Sequence, residues 1–84
     1  MNYEVFIGRR RQKELEKIPR PFYDKIKEAI LNLEINPRPA GVKKLTDRSA
    51  WRIRIGNYRV VYEIDDQSKI IIVIEIGHRK EVYR

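Results

Sequence analysis

An α+β domain is the fold class that three features of the sequence predict: a short alternating segment at the start, an apolar stripe at helical spacing in the middle, and two alternating runs joined by Gly-Asn and followed by an aliphatic run towards the end. The expected order is an N-terminal strand, a helical hairpin and then a mainly antiparallel sheet of three further strands, with the helices packed on one face. At 84 residues the chain supports a single domain, 1–84, and folding at that size buries only about 60 % of the unfolded surface.

Asn2 to Ile7 sets Tyr3, Val5 and Ile7 on one side and Asn2, Glu4 and Phe6 on the other, which predicts a strand ended by Gly8. Arg9 to Ile18 is rich in helix formers and has Leu15 and Ile18 as its apolar contacts, so a short helix with a basic outer side is expected. Arg9, Arg10 and Arg11 on it either grip phosphate or simply meet solvent. Pro19 and Pro21 interrupt the helix, since proline lacks a backbone donor and disfavours helix in the residue before it. Phe22, Ile26, Ala29, Ile30 and Leu33 then recur at spacings of three and four, which predicts a second helix from about Pro21 to Ile35, stopped by Asn36-Pro37. Pro37 to Gly41 is a loop. Val42 to Leu45 is a brief strand or an extended connector on which Lys43 and Lys44 point different ways, and Thr46 to Ala50 is a turn.

Trp51 to Tyr62 is a β-hairpin in period-two code around a Gly56-Asn57 turn. That turn sets Ile55 opposite Tyr58, Arg54 opposite Arg59, Ile53 opposite Val60, Arg52 opposite Val61 and Trp51 opposite Tyr62. One face therefore carries Trp51, Ile53, Ile55, Tyr58, Val60 and Tyr62, and the other carries Arg52, Arg54 and Arg59 around Val61. Like charges placed opposite one another destabilise a sheet by up to roughly 1 kcal/mol per pair. The cluster reads either as a cationic surface for a polyanion or as a solvated strand face that happens to be basic, and its confinement to one face favours the former. Glu63 to Asp65 prolongs the second strand, Asp66-Gln67-Ser68 turns, and Lys69 to Ile76 forms the last strand. This last strand is apolar on both faces, as expected for an interior position. Its side away from the helices either docks a partner or is covered by curvature of the sheet. The Asp65 to Ser68 turn admits several loop lengths, so the register of the last hairpin stays open.

The balance of 19 Lys and Arg against 12 Asp and Glu gives a net charge of +7, which makes an anionic partner the first expectation. Cysteine is absent, so disulfides, zinc ribbons and thiol chemistry are excluded. The longest apolar run, Ile70 to Ile74, is far below the ~20 residues of a membrane span, and the start lacks the apolar length of a signal peptide. A cytoplasmic protein without a membrane partner is expected. Carboxylates are scattered or close to Lys and Arg, and His78 is the single histidine, so neither a metal nor another cofactor is expected. The remaining chemistry lies in Arg52, Arg54, Arg59, His78, Arg79 and Tyr83. Such a set suits cleavage of an RNA phosphodiester by its own 2′-hydroxyl, where guanidinium forks match phosphate oxygens and each preorganised donor contributes roughly 3 kcal/mol in the transition state. Arginine cannot serve as a base. Tyr83 needs neighbouring cations to favour its phenolate, and His78 is the other candidate for proton transfer.

The stretches KKLTDRSAWRIRIGNYRVVYEI and VIEIGHRKEVYR, and within them Tyr-Arg-Val-Val-Tyr and the closing Gly-His-Arg with Glu-Val-Tyr, resemble the RelE toxins of the RelE/ParE toxin-antitoxin superfamily over nearly the whole chain. The resemblance implies a ribosome-dependent endoribonuclease that cuts messenger RNA in the aminoacyl site, contacts ribosomal RNA and is silenced by a cognate RelB-like antitoxin. It implies that Arg59 and Arg79 stabilise or protonate at phosphate and that Tyr83 acts on the 2′-hydroxyl or stacks on a base. Arg52 and Arg54 stand where the best-studied pattern has lysines, and as arginines they are better cast as phosphate clamps. Lys43 and Lys44 join them as candidate phosphate contacts, and His78 is expected to share acid/base work. The rivals are a ParE-like gyrase poison and a non-catalytic RNA- or ribosome-binding module. An acidic, partly disordered antitoxin is expected to bind across the basic face and the last strand.

Overall fold

The computed structural model describes residues 2–78. The chain runs β1 (Glu4–Ile7), α1 (Arg9–Glu16), α2 (Phe22–Asn32), β2 (Lys43–Lys44), β3 (Trp51–Ile55), β4 (Tyr58–Asp65) and β5 (Ile70–His78). The strands form one sheet in the order β1-β5-β4-β3-β2. β1 lies parallel to β5 and the other neighbours are antiparallel. The α+β architecture is therefore as expected, with one correction: four strands follow the helices, because Lys43–Lys44 pairs with β3 as a short edge strand. β5 holds the interior position between β1 and β4.

The two helices end where their backbones run out of helical partners. α1 stops before Pro19, and after Asn32 the amides of Leu33, Glu34 and Ile35 each donate to the carbonyl three residues back, which tightens the last turn before Asn36. The apolar stripe of α2 buries Ile26, Ile30 and Leu33, and α1 adds Leu15 with Ile18 just beyond it. These pack on Val60, Tyr62, Ile71, Val73 and Ile76 of the sheet, so both helices cover the same face.

Between β4 and β5 the pairing shifts: Tyr62 partners Val73 whereas Val61 partners Glu75, leaving Ile74 as an extra residue in β5. Its carbonyl accepts a hydrogen bond from the Arg11 guanidinium of α1, which also pairs with Glu14 at 2.9 Å. Of the arginine run at the start of α1, Arg11 is thus turned inwards to the sheet, and Arg9 and Arg10 are exposed.

A second polar junction fastens the loop after α2. The Tyr62 hydroxyl, buried in the core, donates to the Pro37 carbonyl at 2.7 Å, and burial pushes this phenol up to about 12. The next residue, Arg38, lies 4.9 Å from the centroid of the Trp51 ring. Its guanidinium donates to both oxygens of Asp66 at 3.2 and 2.9 Å, and the Tyr3 hydroxyl donates to the same carboxylate at 2.7 Å. The Arg38 bond, then the Tyr3 bond, lowers the Asp66 carboxyl from 3.8 to about 2.

Two outcomes follow from these junctions. Arg11→Ala removes a donor from the Ile74 carbonyl and is expected to lower the unfolding free energy in urea by about 1–2 kcal/mol, whereas Arg10→Ala shifts it by less than about 0.5 kcal/mol. Because Asp66 is more acidic in the folded state, its contribution is present above its ordinary 3.8 and is lost as the pH falls towards 2. Asp66→Asn should therefore melt below the wild type near neutrality, and the gap should close between pH 4 and 2 in circular-dichroism melts.

Candidate functional site

The hairpin turn fixes which side chains leave the core. Gly56 adopts φ +59°, a conformation that favours glycine, and a Cβ there would approach the Phe22 ring to 3.2 Å. With this turn in place the partners are those the sequence predicts, Arg54 with Arg59 and Arg52 with Val61. Since Val60 and Tyr62 pack beneath the helices, Arg52, Arg54, Arg59 and Val61 occupy the opposite face. Two rows cross this face. Arg54, Arg59 and Gly77 form one, and Lys43, Arg52, Val61 and Glu75 form the other.

The three arginines lie at different depths. Arg54 is exposed, whereas Arg52 is 8 % and Arg59 1 % exposed. Arg59 is on the middle strand of the five, between Arg54 and a residue without a side chain, Gly77. Arg54 is thus the one of the three that stands in solvent. Arg52 and Arg59 lie beneath the surface.

The other candidates separate. Lys43 shares the row of Arg52, but Lys44 partners Trp51 and belongs to the opposite face. His78 partners Tyr58 and so emerges on the helix side, away from Arg59, with its ring 5.6 Å from the Tyr58 ring in an edge-on arrangement. There it lines an open cavity of about 450 Å³ with Glu14, Lys17, Ile18 and Tyr58. Arg79 and Tyr83 lie outside the described residues. Among the described residues no cluster of His, Cys, Asp or Glu could hold a metal, and no helix is long and apolar enough to cross a membrane.

One contributor escaped the reading of the sequence. Arg48, in the turn before β3, reaches Glu75 on β5 at 2.7 Å and brings another guanidinium to the margin of the arginine face. No local signal in the sequence marks this pair, because it depends on the shift at Ile74.

Comparison with known proteins decides the family. Residues 5–83 match the family of ParE toxins of type II toxin-antitoxin systems, parDE. The chain belongs to the RelE/ParE toxin superfamily. Within it the relatives carry RelE names: a Methanocaldococcus jannaschii protein described as toxin RelE1 is 34 % identical over 88 residues, spanning 100 % of this chain and 98 % of its own. RelE from the Pyrococcus horikoshii RelE-RelB complex superposes with a TM-score of 0.83 at 30 % identity, covering 94 % of this chain and 97 % of its own. Isolated Escherichia coli RelE gives 0.78 at 27 % identity over 96 % and 90 % of the two chains. The protein is a RelE-type toxin of a type II toxin-antitoxin system.

For this RelE-type toxin the depth of the arginines separates binding from stability. Arg54→Ala is expected to reduce the slope of log affinity against log salt for single-stranded RNA by about 0.7, one phosphate contact, with unfolding changed by less than about 0.5 kcal/mol. Arg59→Ala empties a buried position and should lower stability by more than about 1 kcal/mol. Anisotropy titrations at several salt concentrations, paired with urea unfolding, check both.

Proposed function

We propose that this toxin is a ribosome-dependent endoribonuclease that cleaves messenger RNA by attack of the RNA's own 2′-hydroxyl, and so inhibits translation in the cytoplasm. The observation that supports it most is the cross-strand pair of Arg54 and Arg59 with Arg52 beside it, a concentration of positive charge on one face that suits a polyanion. The 2′-oxygen attacks the adjacent phosphorus, the bond to the 5′-oxygen breaks, and a cyclic phosphate and a 5′-hydroxyl result. The substrate supplies the nucleophile, so the protein's work is orientation, charge stabilisation and two proton movements, off the 2′-hydroxyl and onto the 5′-oxygen.

Arg54 and Arg52 clamp the phosphates, with Lys43 along the same row. Lys44, on the other face, is a phosphate contact only for a strand that wraps the β2 edge. Arg59 and Arg79 stabilise the charge that grows on the phosphoryl oxygens, and Tyr83 acts at the 2′-hydroxyl or stacks on a base. His78 faces away from Arg59, which favours Tyr83 over His78 for proton transfer at the phosphate. The chemistry asks for no metal or other cofactor. Messenger RNA on the ribosome and ribosomal RNA are the proposed nucleic-acid partners. The solved RelE relatives from Pyrococcus horikoshii and Methanococcus jannaschii are complexes with RelB, and a cognate RelB-like antitoxin is the proposed inhibitor.

The match to the ParE toxin family supports a second reading, a DNA gyrase inhibitor on the same fold; a non-catalytic RNA- or ribosome-binding module is the third. Induction in cells followed by primer-extension mapping of messenger ends separates them. Codon-phased cuts are expected, abolished by Arg79→Ala and reduced about 10²–10³-fold by loss of a transition-state donor at Arg59. Intact messages with gyrase-linked DNA breaks would establish the second reading, and stalled translation with uncut messages the third.

A further inference from the structure

Phe6 and Ile72 are large apolar side chains that stand 49 % and 45 % exposed. They are partners across β1 and β5. On the other side of β5, Ile72 partners Glu63, and one step along the strands Glu4, Ile70 and Asp65 form a parallel row. All of these face away from the helices, because the intervening Ile71 and Val73 are in the core. The result is an apolar strip with exposed carboxylates on both flanks, Glu4 on β1 and Glu63 and Asp65 on β4.

This strip and the arginines share one continuous sheet face. Towards the Gly56-Asn57 turn the face is cationic, and towards the turn between β4 and β5 it is apolar and acid-rimmed. The Arg48–Glu75 pair, at 2.7 Å, stands between the halves. RNA is attracted to the first half and repelled by the second, since its phosphates meet like charge there. An acidic protein segment has the same limitation. Any chain that follows the face past Arg48 and Glu75 must change its charge to stay on it.

We propose that the Phe6–Ile72 strip docks a segment of the antitoxin that carries apolar side chains between lysines or arginines, adjoining the acidic segment that covers the arginine half. The inference rests on the antitoxin of the proposed function, and it replaces a uniformly acidic partner with one whose charge is divided to mirror this sheet. Two opposed charge patterns also set the direction in which the partner runs, because reversal places like charges together along the whole face.

Photo-cross-linking of the full-length toxin bound to its full-length antitoxin tests this directly. With p-benzoylphenylalanine at position 72, cross-links are expected in an antitoxin segment of net positive charge. With it at position 54, they are expected in a segment of net negative charge. Glu4→Lys combined with Glu63→Lys, both at exposed positions, should weaken the complex at least tenfold in calorimetry, with an unchanged circular-dichroism spectrum. Cross-links from position 72 into an acidic segment, or into a second copy of the toxin, would overturn the proposal. So would an antitoxin that cross-links from position 54 alone or tolerates the two lysines, and either result leaves the toxin reading standing. An antitoxin that fails to bind at all overturns both.

Discussion

One extra residue in β5, Ile74, decides which face every later side chain of that strand occupies. Up to Val73 the odd-numbered residues point under the helices, and beyond Ile74 the even-numbered ones do, so Ile71, Val73 and Ile76 all reach the core. Continuing the unshifted pairing backwards from Tyr62 and Val73 would set Glu75 beside Val60, beneath the helices, and Ile76 beside Arg59. A carboxylate moved into an apolar core costs several kcal/mol unless it is neutralised or paired. The bulge avoids that cost, and Arg11 supplies a donor to the carbonyl where the ladder is disturbed. Its consequences reach both faces. Glu75 becomes available to Arg48, Gly77 comes to lie beside Arg59, and His78 is carried to the helix side.

This dependence explains why some elements were legible in the sequence and others were not. The hairpin of β3 and β4 combines a two-residue turn with strict alternation, and each of these fixes the register independently, so its five partner pairs follow from the residues. The stripe of Ile26, Ile30 and Leu33 is equally decisive for α2, since no period other than the helical one buries those three together. β5 has no such redundancy. Ile70 to Ile74 are all aliphatic, so neither parity is marked, and the first polar residue, Glu75, comes after the slip. The ladder to β2 was open for a related reason: two lysines carry no pattern, and only the presence of β3 beside them makes a strand.

At the candidate site the sequence disclosed the face of each hairpin arginine but not its depth. Alternation says that Arg52, Arg54 and Arg59 point the same way. It does not say how deeply each lies: Arg59, on the middle strand of the five, is 1 % exposed while Arg54 stays in water. The same incompleteness affected His78, whose proximity to arginine in sequence is no guide to its face once a bulge intervenes. Neighbours along a strand alternate faces, so Gly77 falls on the arginine face and His78 on the helix side.

The division of charge on the sheet bears on how a toxin of this kind is silenced. On the proposed function, RNA and an acidic antitoxin segment compete for the same arginines, and on that half alone neither has an advantage beyond charge and geometry. Binding to phosphate through arginine weakens steeply as salt rises, since it draws on counterion release, whereas apolar docking does not. A partner that also occupies the Phe6–Ile72 strip gains a contact closed to RNA by Glu4, Glu63 and Asp65. Once one segment is seated the other binds intramolecularly, and linkage of this kind raises avidity by about 10²–10⁴-fold when the geometry permits both contacts. On this proposal the acidic rim has a role in inhibition that a basic rim could not fill: it reserves part of the face for protein, and so lets the inhibitor hold the shared arginines under conditions in which RNA releases them.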